Sequence, residues 1–444
     1  MHGDFTRSAR TLLRRVPILL LLLIVGFGAW VTIDPPYTNS PPIRSDGLGY
    51  YAWTNAILDG DFDFCQWQEL AIVGALPSTQ YPLPNRDPVH HNRCPNKYSP
   101  GMALLRFPVM GLVAALSGHG NDQTLVVSNA SEDADQWLGL ATLLLTAWLM
   151  WATLRRLEVG TWTAQLTVLC LVFGTGLFHY ATYDSSFTHE SSAALFAALI
   201  FVDVGAMRRR APPNPWLVFG LALFIVWIRE PDALPMLLLV ASWIFWKTRG
   251  LVGAERLRDA ARLALPVLGA IVFVVIFQLL YVRWATHTWS LDDYGSATFK
   301  LSQGAELNVL FSYNHGLFLW YPVLVPMLAV ALWQRKSRNW GWIALGSVAL
   351  VTIVYGSWNP WFLAGAMGAR GFVDIVPIIS VAGGLGLAQM RPNRRVLVFA
   401  PAVVLSWVTV ELMAGYWTGV LPFDNNTAAQ FWTQVVGSHA MLHS

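Results

Sequence analysis

The residues able to do chemistry in this sequence are carboxylates and cations that sit just beyond long apolar runs. The first group is Arg44-Ser45-Asp46-Gly47-Leu48-Gly49-Tyr50-Tyr51. A carboxylate there can take a proton from a hydroxyl, which makes Asp46 the candidate base. Tyr50 and Tyr51 add phenolic hydroxyls able to bind a sugar or an acceptor. The plainer reading of Asp46 is a cap for a helix starting near Leu48. Asp34 is the weaker acid, because Pro35-Pro36 beside it reads as a rigid exit from the apolar run.

Four further groups follow. In Asn96-Lys97-Tyr98-Ser99-Pro100-Gly101, Lys97 is a point charge suited to a phosphate, or a lysine snorkelling to an interface. Tyr183 to Glu190 gathers Asp184, His189 and Glu190 beside Tyr98 as sugar- or acceptor-binding candidates, with capping of the next helix as the alternative. Arg229-Glu230-Pro231-Asp232 holds three charges between apolar segments. At a helix centre in a bilayer each costs roughly 2.5–3.5 kcal/mol, so they pair, line a wet cavity, or both. Trp358-Asn359-Pro360-Trp361 precedes Gly365 to Arg370 and then Asp374. Arg370 can grip a phosphate with two N–H groups, and Trp358 and Trp361 either belong to an interfacial belt or stack on a sugar or isoprenoid chain. His315 stands at another helix entrance, and Asp292-Asp293 lie in the same loop region. His90-His91 with Cys94 invite a zinc reading, but adjacent histidines rarely face one point and no four-ligand spacing is present, so no metal site is expected there. No Walker loop, nucleotide-binding glycine pattern or Ser-His-Asp arrangement is visible, so soluble nucleotide-sugar chemistry is not expected.

The elements that must position these groups are membrane helices. The 444 residues are 55% hydrophobic and only 12% charged, against about 25% charged in soluble domains, and the mean hydropathy is +0.46. The expected fold is all-α and polytopic, with about eleven transmembrane helices. They fall near 16–33, 137–154, 162–181, 190–207, 215–228, 233–246, 265–283, 316–333, 340–357, 371–390 and 396–417. The segments 215–228 and 233–246 are short and form a hairpin with Arg229 to Asp232 at its tip. The whole chain reads as one integral membrane domain, with a large outer loop at 34–136 that contains surface helices, a helical bundle at 137–417 and a short outer tail at 418–444.

Charge sets the orientation. If the apolar stretch Gly101–Ser117 does not cross, every basic cluster falls on one side: Arg7 to Arg15, Arg155-Arg156, Arg208 to Arg210, Lys247 to Arg262, Arg335 to Arg338 and Arg391 to Arg395. That is the positive-inside pattern, so this stretch, with Arg106 and Pro108 inside it, reads as a re-entrant or surface-lying helix on the outer side. The N-terminus is then cytoplasmic and uncleaved, and the acids and histidines gather on the outer face. Cys65 and Cys94 both lie in the large outer loop, where an oxidising compartment favours a disulfide over two buried thiols. The short, separate basic clusters do not form a nucleic-acid stripe. Arginine predominance and the lack of eukaryotic targeting signals point to a bacterial inner membrane.

Taken in order, these motifs resemble the GT-C superfamily of polyprenyl-phosphate-sugar-dependent glycosyltransferases, especially members similar to the protein mannosyltransferases and the aminoarabinose transferase of lipid A. The family's catalytic acid shortly after the first span is matched by Asp46 with Tyr50 and Tyr51. Its lysine–tyrosine–proline–glycine turn looks like Lys97 to Gly101, and its histidine-bearing outer turn like Tyr183 to Glu190. Its arginine-acid hairpin looks like Arg229 to Asp232. Gly316-Leu317-Phe318 with Pro322, and the segment Trp358 to Arg370, complete the series, which covers roughly residues 16–390. Two departures stand out: the family's acid is often doubled, whereas Gly47 follows Asp46, and many members carry a large soluble outer domain where only Thr418 to Ser444 follows the last span here.

The resemblance implies an inverting transfer of a sugar from a polyprenyl-phosphate donor to a cell-envelope glycan, lipid or protein acceptor. Asp46 would act as base, and Arg370 with Lys97 or Arg229 would face the leaving phosphate. No cofactor is implied, a divalent cation beside the acid being a further option. The nearest enzymatic alternative is a ligase for a lipid-linked glycan. A non-enzymatic transporter or flippase of an isoprenoid lipid is the competing class, and a degenerate partner subunit a third.

Overall fold

The computed structural model describes residues 18–33, 41–67, 93–118, 125–209, 212–289, 298–363 and 365–437. Asp34, His90, His91, Asp292, Asp293 and the basic cluster Arg7 to Arg15 lie outside the described residues. The regular structure of the described residues is helical apart from one two-residue antiparallel ladder, which pairs Thr298 with Asn359 and Phe299 with Trp358.

Among the described residues, five helices are long and apolar enough to cross a membrane: Asn129–Arg156, His189–Arg209, Gly253–Thr286, Arg338–Gly356 and Pro392–Trp417. Shorter apolar helices fill in around them, among them Pro215–Ile228, Leu324–Trp333 and Val376–Gln389. The Gly253–Thr286 helix turns Leu265, Leu268, Val272, Phe273, Ile276 and Leu280 outward. An apolar face of that size is stable in hydrocarbon, not in water, and the protein is an integral membrane protein.

Several expected spans differ in detail. The run at 162–181 divides into Thr161–Phe173 and Leu177–Thr182, because the Thr175 hydroxyl bonds back to the Leu171 carbonyl at 2.7 Å between two glycines that interrupt the helix. The run at 316–333 divides into Leu317–Trp320 and Leu324–Trp333. Pro322 lacks an N–H and forces Tyr321 out of helical geometry. The loop expected to reach residue 136 ends sooner, since a helix starts at Asn129. Ser128 caps it by accepting from the Ser131 N–H, and Glu132 lies in its first turn, where an acid complements the helix dipole. Gly101–Ser117 is a helix of 17 residues, short of the roughly 20 that a perpendicular span needs.

A separate small core under the first outer loop matters most for the site. Tyr51, Ala52, Trp53 and Ala56 of the Asp46–Asp59 helix pack with Phe64, Trp67, Cys94, Tyr98, Ala103, Met110 and Tyr281. Cys65 and Cys94 are joined as a disulfide across a separation of 29 residues. Asp63 Oδ1 accepts from the backbone N–H of both, at 3.1 and 3.0 Å. This clip delivers the chain to Asn96, whose N–H donates to the Tyr281 hydroxyl at 2.9 Å and whose side-chain amide donates to Gly49 O at 2.6 Å.

Candidate active site

Asp46 is the first residue of its helix, and Tyr50, one turn later, shares its face. Tyr51 turns the other way, and its hydroxyl meets Ser131 Oγ at 2.9 Å in the small core, away from the acid. Two glycines let the helix seat closely: a Cβ on Gly47 would overlap the Ser186 side chain, and one on Gly49 would overlap the Tyr98 ring. The absence of a second acid after Asp46 therefore has a packing cause, since no side chain fits at position 47.

Asp46 is held from two sides. The Tyr98 hydroxyl donates to Oδ1 at 2.6 Å, and Arg370 Nη1 lies 3.1 Å from Oδ2. Tyr98 is itself fixed, because Trp53 Nε1 donates to its carbonyl at 2.6 Å and its ring packs on Tyr50 with centroids 4.9 Å apart. Lys97 lies over the Tyr98 ring with Nζ 4.9 Å from the centroid. Burial lowers the Lys97 ammonium's pKa, Asp46 opposes the shift and Arg370 adds to it. Burial raises the Tyr98 phenol's pKa well above its usual value, and Asp46 and Tyr50 raise it further. Tyr98 is thus a donor to the carboxylate, not an acid. Arg370 sits above the Phe187 ring at 5.4 Å, and its buried Nε has no hydrogen-bond partner among the described residues.

A second layer braces this pair. Arg229 approaches Asp374 with Nε 3.0 Å from Oδ2, contacts the Tyr355 hydroxyl and lies 3.4 Å from both Thr188 Oγ1 and His189 Nε2. The Nε–Asp374 approach is an ion pair by distance but not an aligned hydrogen bond. His189 Nδ1 is 3.0 Å from Asp374 Oδ1. A guanidinium only donates, so Nε2 is the acceptor and Nδ1 carries the proton toward Asp374. Glu190 faces elsewhere: it and Asp135 grip Arg106 from two sides in a buried triad, with Ser185 bonded to Asp135 at 2.7 Å.

Asp184 also stands apart from Asp46. Arg44 Nη2 reaches its Oδ1 at 2.6 Å and His179 Nε2 its Oδ2 at 2.8 Å. Trp417 Nε1 donates to His179 Nδ1 at 2.8 Å, which leaves the His179 proton on Nε2. Burial alone would raise the Asp184 carboxyl, but Arg44 and His179 overcome it and hold it below the usual aspartate range. Arg44 also stacks on Tyr183 at 4.3 Å, so this chain anchors the entry to the Asp46 helix. His315 is buried, with Nδ1 3.1 Å from the Phe362 carbonyl. Together with Trp361, Tyr355 and Arg370 it lines a narrow cleft. Trp358 lies in the two-residue ladder, its ring against Phe299 at 6.5 Å.

The structure thus brings together Asp46, Tyr50, Lys97, Tyr98 and Arg370, with Arg229 and His189 behind them and His315 and Trp361 along the adjoining cleft. Tyr51, Glu190, Asp184 and Trp358 serve other contacts. Residues not singled out from the sequence include His179, Tyr355, Asp135 and Phe187. A signal existed for His179, a lone histidine inside an apolar run. Among the described residues, one group of metal-ligating side chains comes together, Asp63 with Cys65 and Cys94, and there both sulfurs are taken by the disulfide.

No family model matches the sequence, and no curated protein is significantly similar to it. Solved structures do share its shape. The chain superposes on the apo oligosaccharyltransferase of Archaeoglobus fulgidus with a TM-score of 0.54 and 9% identity, covering 90% of this chain and 56% of that one. ArnT from Cupriavidus metallidurans, bound to undecaprenyl phosphate, gives 0.48 at 13% identity over 90% and 71% of the two chains. Its apo state gives 0.45 at 13% over 90% and 70%. The chain spans little more than half the length of the oligosaccharyltransferase it matches. It shares its membrane fold with that oligosaccharyltransferase.

Proposed function

We propose that the chain transfers a sugar from a polyprenyl-phosphate-linked donor to an acceptor hydroxyl on the extracytoplasmic face of a bacterial inner membrane, inverting the anomeric centre. The observation that carries this reading is the contact between Asp46 and Arg370, a carboxylate and a guanidinium with an unpartnered buried N–H. The fold shared with an oligosaccharyltransferase supports glycosyl transfer as the reaction class.

The donor phosphate takes the free Nε of Arg370 and draws Nη1 away from Asp46, with Lys97 as the second cation. Tyr98 keeps Oδ1 in place, and Oδ2 turns to the acceptor hydroxyl. The acceptor proton passes to Asp46 while the oxygen attacks the anomeric carbon. The bond from that carbon to the phosphate oxygen breaks, and the electron pair leaves with the phosphate. Arg370 and Lys97 offset the charge that develops there. Arg229, already committed to Asp374, Tyr355 and His189, contributes its field and holds the framework. A phosphate leaving group needs no strong acid, and the activated lipid supplies the driving energy, so the reading requires no cofactor. The acceptor is a cell-envelope glycan, lipid or protein.

The test is incubation of the purified protein in lipid with a panel of polyprenyl-phosphate sugars, following release of lipid phosphate and the mass of the acceptor. Release that depends on Asp46 is the expected result. No release from any monophosphate donor, with turnover of a diphosphate-linked glycan instead, would move the chain to the ligases.

A further inference from the structure

The segment that follows the Pro392–Trp417 helix folds back over two loops of the site. Asp424 Oδ1 accepts from the Gly365 N–H at 2.9 Å. The Tyr416 hydroxyl donates to the Gly365 carbonyl at 3.1 Å, and the Tyr416 ring meets Phe423 edge-on at 5.1 Å. Gly365 is therefore held at both its polar groups. Farther along, the Asn426 N–H reaches Asn314 Oδ1 at 3.4 Å. Phe431 packs on Tyr313 and Trp320, and Gln434 Nε2 donates to the Glu411 carbonyl at 2.8 Å. The two loops so fastened carry His315 and Arg370, which line the same cleft, and Arg370 also pairs with Asp46.

The loop from Gly365 to Arg370 needs fastening. Gly365 and Gly368 both take positive φ, 70° and 63°, and glycine there leaves a backbone with much freedom to lose. From the bundle side, the Met367 N–H donates to the Tyr180 hydroxyl at 3.0 Å and its carbonyl accepts from Tyr321 at 2.8 Å. From the other side the grip comes from Asp424 and Tyr416. The loop that brings Arg370 within 3.1 Å of Asp46 Oδ2 is thus held at Met367 by the bundle and at Gly365 by the segment after the last long helix.

We infer that Asp424 is a positioning residue for Arg370, acting through the Gly365 amide, and that residues 418–437 form a strap that sets the phosphate-facing side of the site. The functional part of this inference rests on the reading of Arg370 as the phosphate's partner; the structural part does not.

Hydrogen exchange on the full-length protein in lipid, read by mass spectrometry, decides the structural part. Asp424→Ala should speed exchange of the 365–370 amides about tenfold, the worth of one charge-assisted bond, and leave the rest of the bundle unchanged. Asp424→Asn keeps a side-chain oxygen that can accept and should retain slow exchange. If Asp424→Ala does not accumulate, Tyr416→Phe, which loses only the donor to Gly365 O, should show the same local acceleration. Unchanged exchange in the alanine variant, or equal acceleration by asparagine, overturns the inference.

Binding of a polyprenyl monophosphate, with the matching polyprenol as control, reads the consequence. Asp424→Ala should weaken the phosphate-dependent part about tenfold, and Asp424→Ala binding the phosphate as tightly as wild type overturns the strap's role in the site. Arg370→Ala separates the two ideas: phosphate binding indifferent to that change removes Arg370 as the partner, while the exchange data still decide Asp424.

Discussion

Replacing Asp46 by asparagine separates two things that the carboxylate is proposed to do, take a proton and occupy Arg370. As base it should account for about a hundred- to ten-thousandfold in rate, so transfer from a polyprenyl-phosphate sugar should fall by that factor. The effect on binding runs the other way. At 3.1 Å a unit pair attracts by roughly 5 kcal/mol at an effective dielectric near 20. The side chains keep 12% and 24% of their exposure, and desolvation cancels much of the rest, which leaves about 1–2 kcal/mol recoverable. Freed of that competitor, Arg370 should bind a polyprenyl phosphate about 5- to 30-fold more tightly. Calorimetry with the lipid phosphate in nanodiscs, beside a turnover assay on the same preparation, measures both. Transfer at wild-type rate would end the assignment of Asp46 as base. Lost transfer with weakened phosphate binding would make Asp46 a scaffold for Arg370 and not its competitor.

Other consequences are more quickly checked. Tyr98→Phe removes the 2.6 Å bond to Asp46 and should lower kcat about tenfold with KM little changed; a rise in KM alone would place the hydroxyl on substrate instead. Arg106→Leu strands Asp135 and Glu190, a buried-pair loss of about 3–5 kcal/mol, and should abolish accumulation of folded protein, whereas Lys97→Ala should fold and lose phosphate affinity. A stable Arg106→Leu variant would show that the triad is dispensable. His315 titrates in the pH profile of stability. Burial lowers its pKa to about 4 against about 6.5 unfolded. Between those values the unfolded chain holds more protons, so stability is full above 6.5 and falls as the pH drops to 4, by on the order of 3 kcal/mol. His315→Gln should flatten that part of a melting-temperature curve, and parallel curves would refute it.

The helical membrane fold and the order of its motifs were legible because they rest on local signals: apolar length, charge clusters at loop ends, and glycine or proline at turns. The division of labour among the acids was not. Asp184, His189 and Glu190 lie within seven residues, yet they face three different partners, Arg44 with His179, Asp374 with Arg229, and Arg106. Those partners sit far away in sequence, and only packing selects among them. The same holds for Tyr50 and Tyr51, neighbours in sequence whose helical phase sends one against the Tyr98 ring and the other to Ser131. The start of the Asn129 helix was obscured by Glu132, Asp133 and Asp135, a charged run that reads as loop until Ser128 is seen as its cap. The role of Asp424 had no sequence signal, since its partner is a backbone amide.

The contact between Gly47 and Ser186 has an evolutionary meaning. A chain with this packing cannot acquire a second acid beside Asp46 by one substitution, because Ser186 occupies the space where any Cβ at 47 would go. The two positions are epistatic. A side chain at 47 keeps the Asp46 helix seated only together with a change at 186.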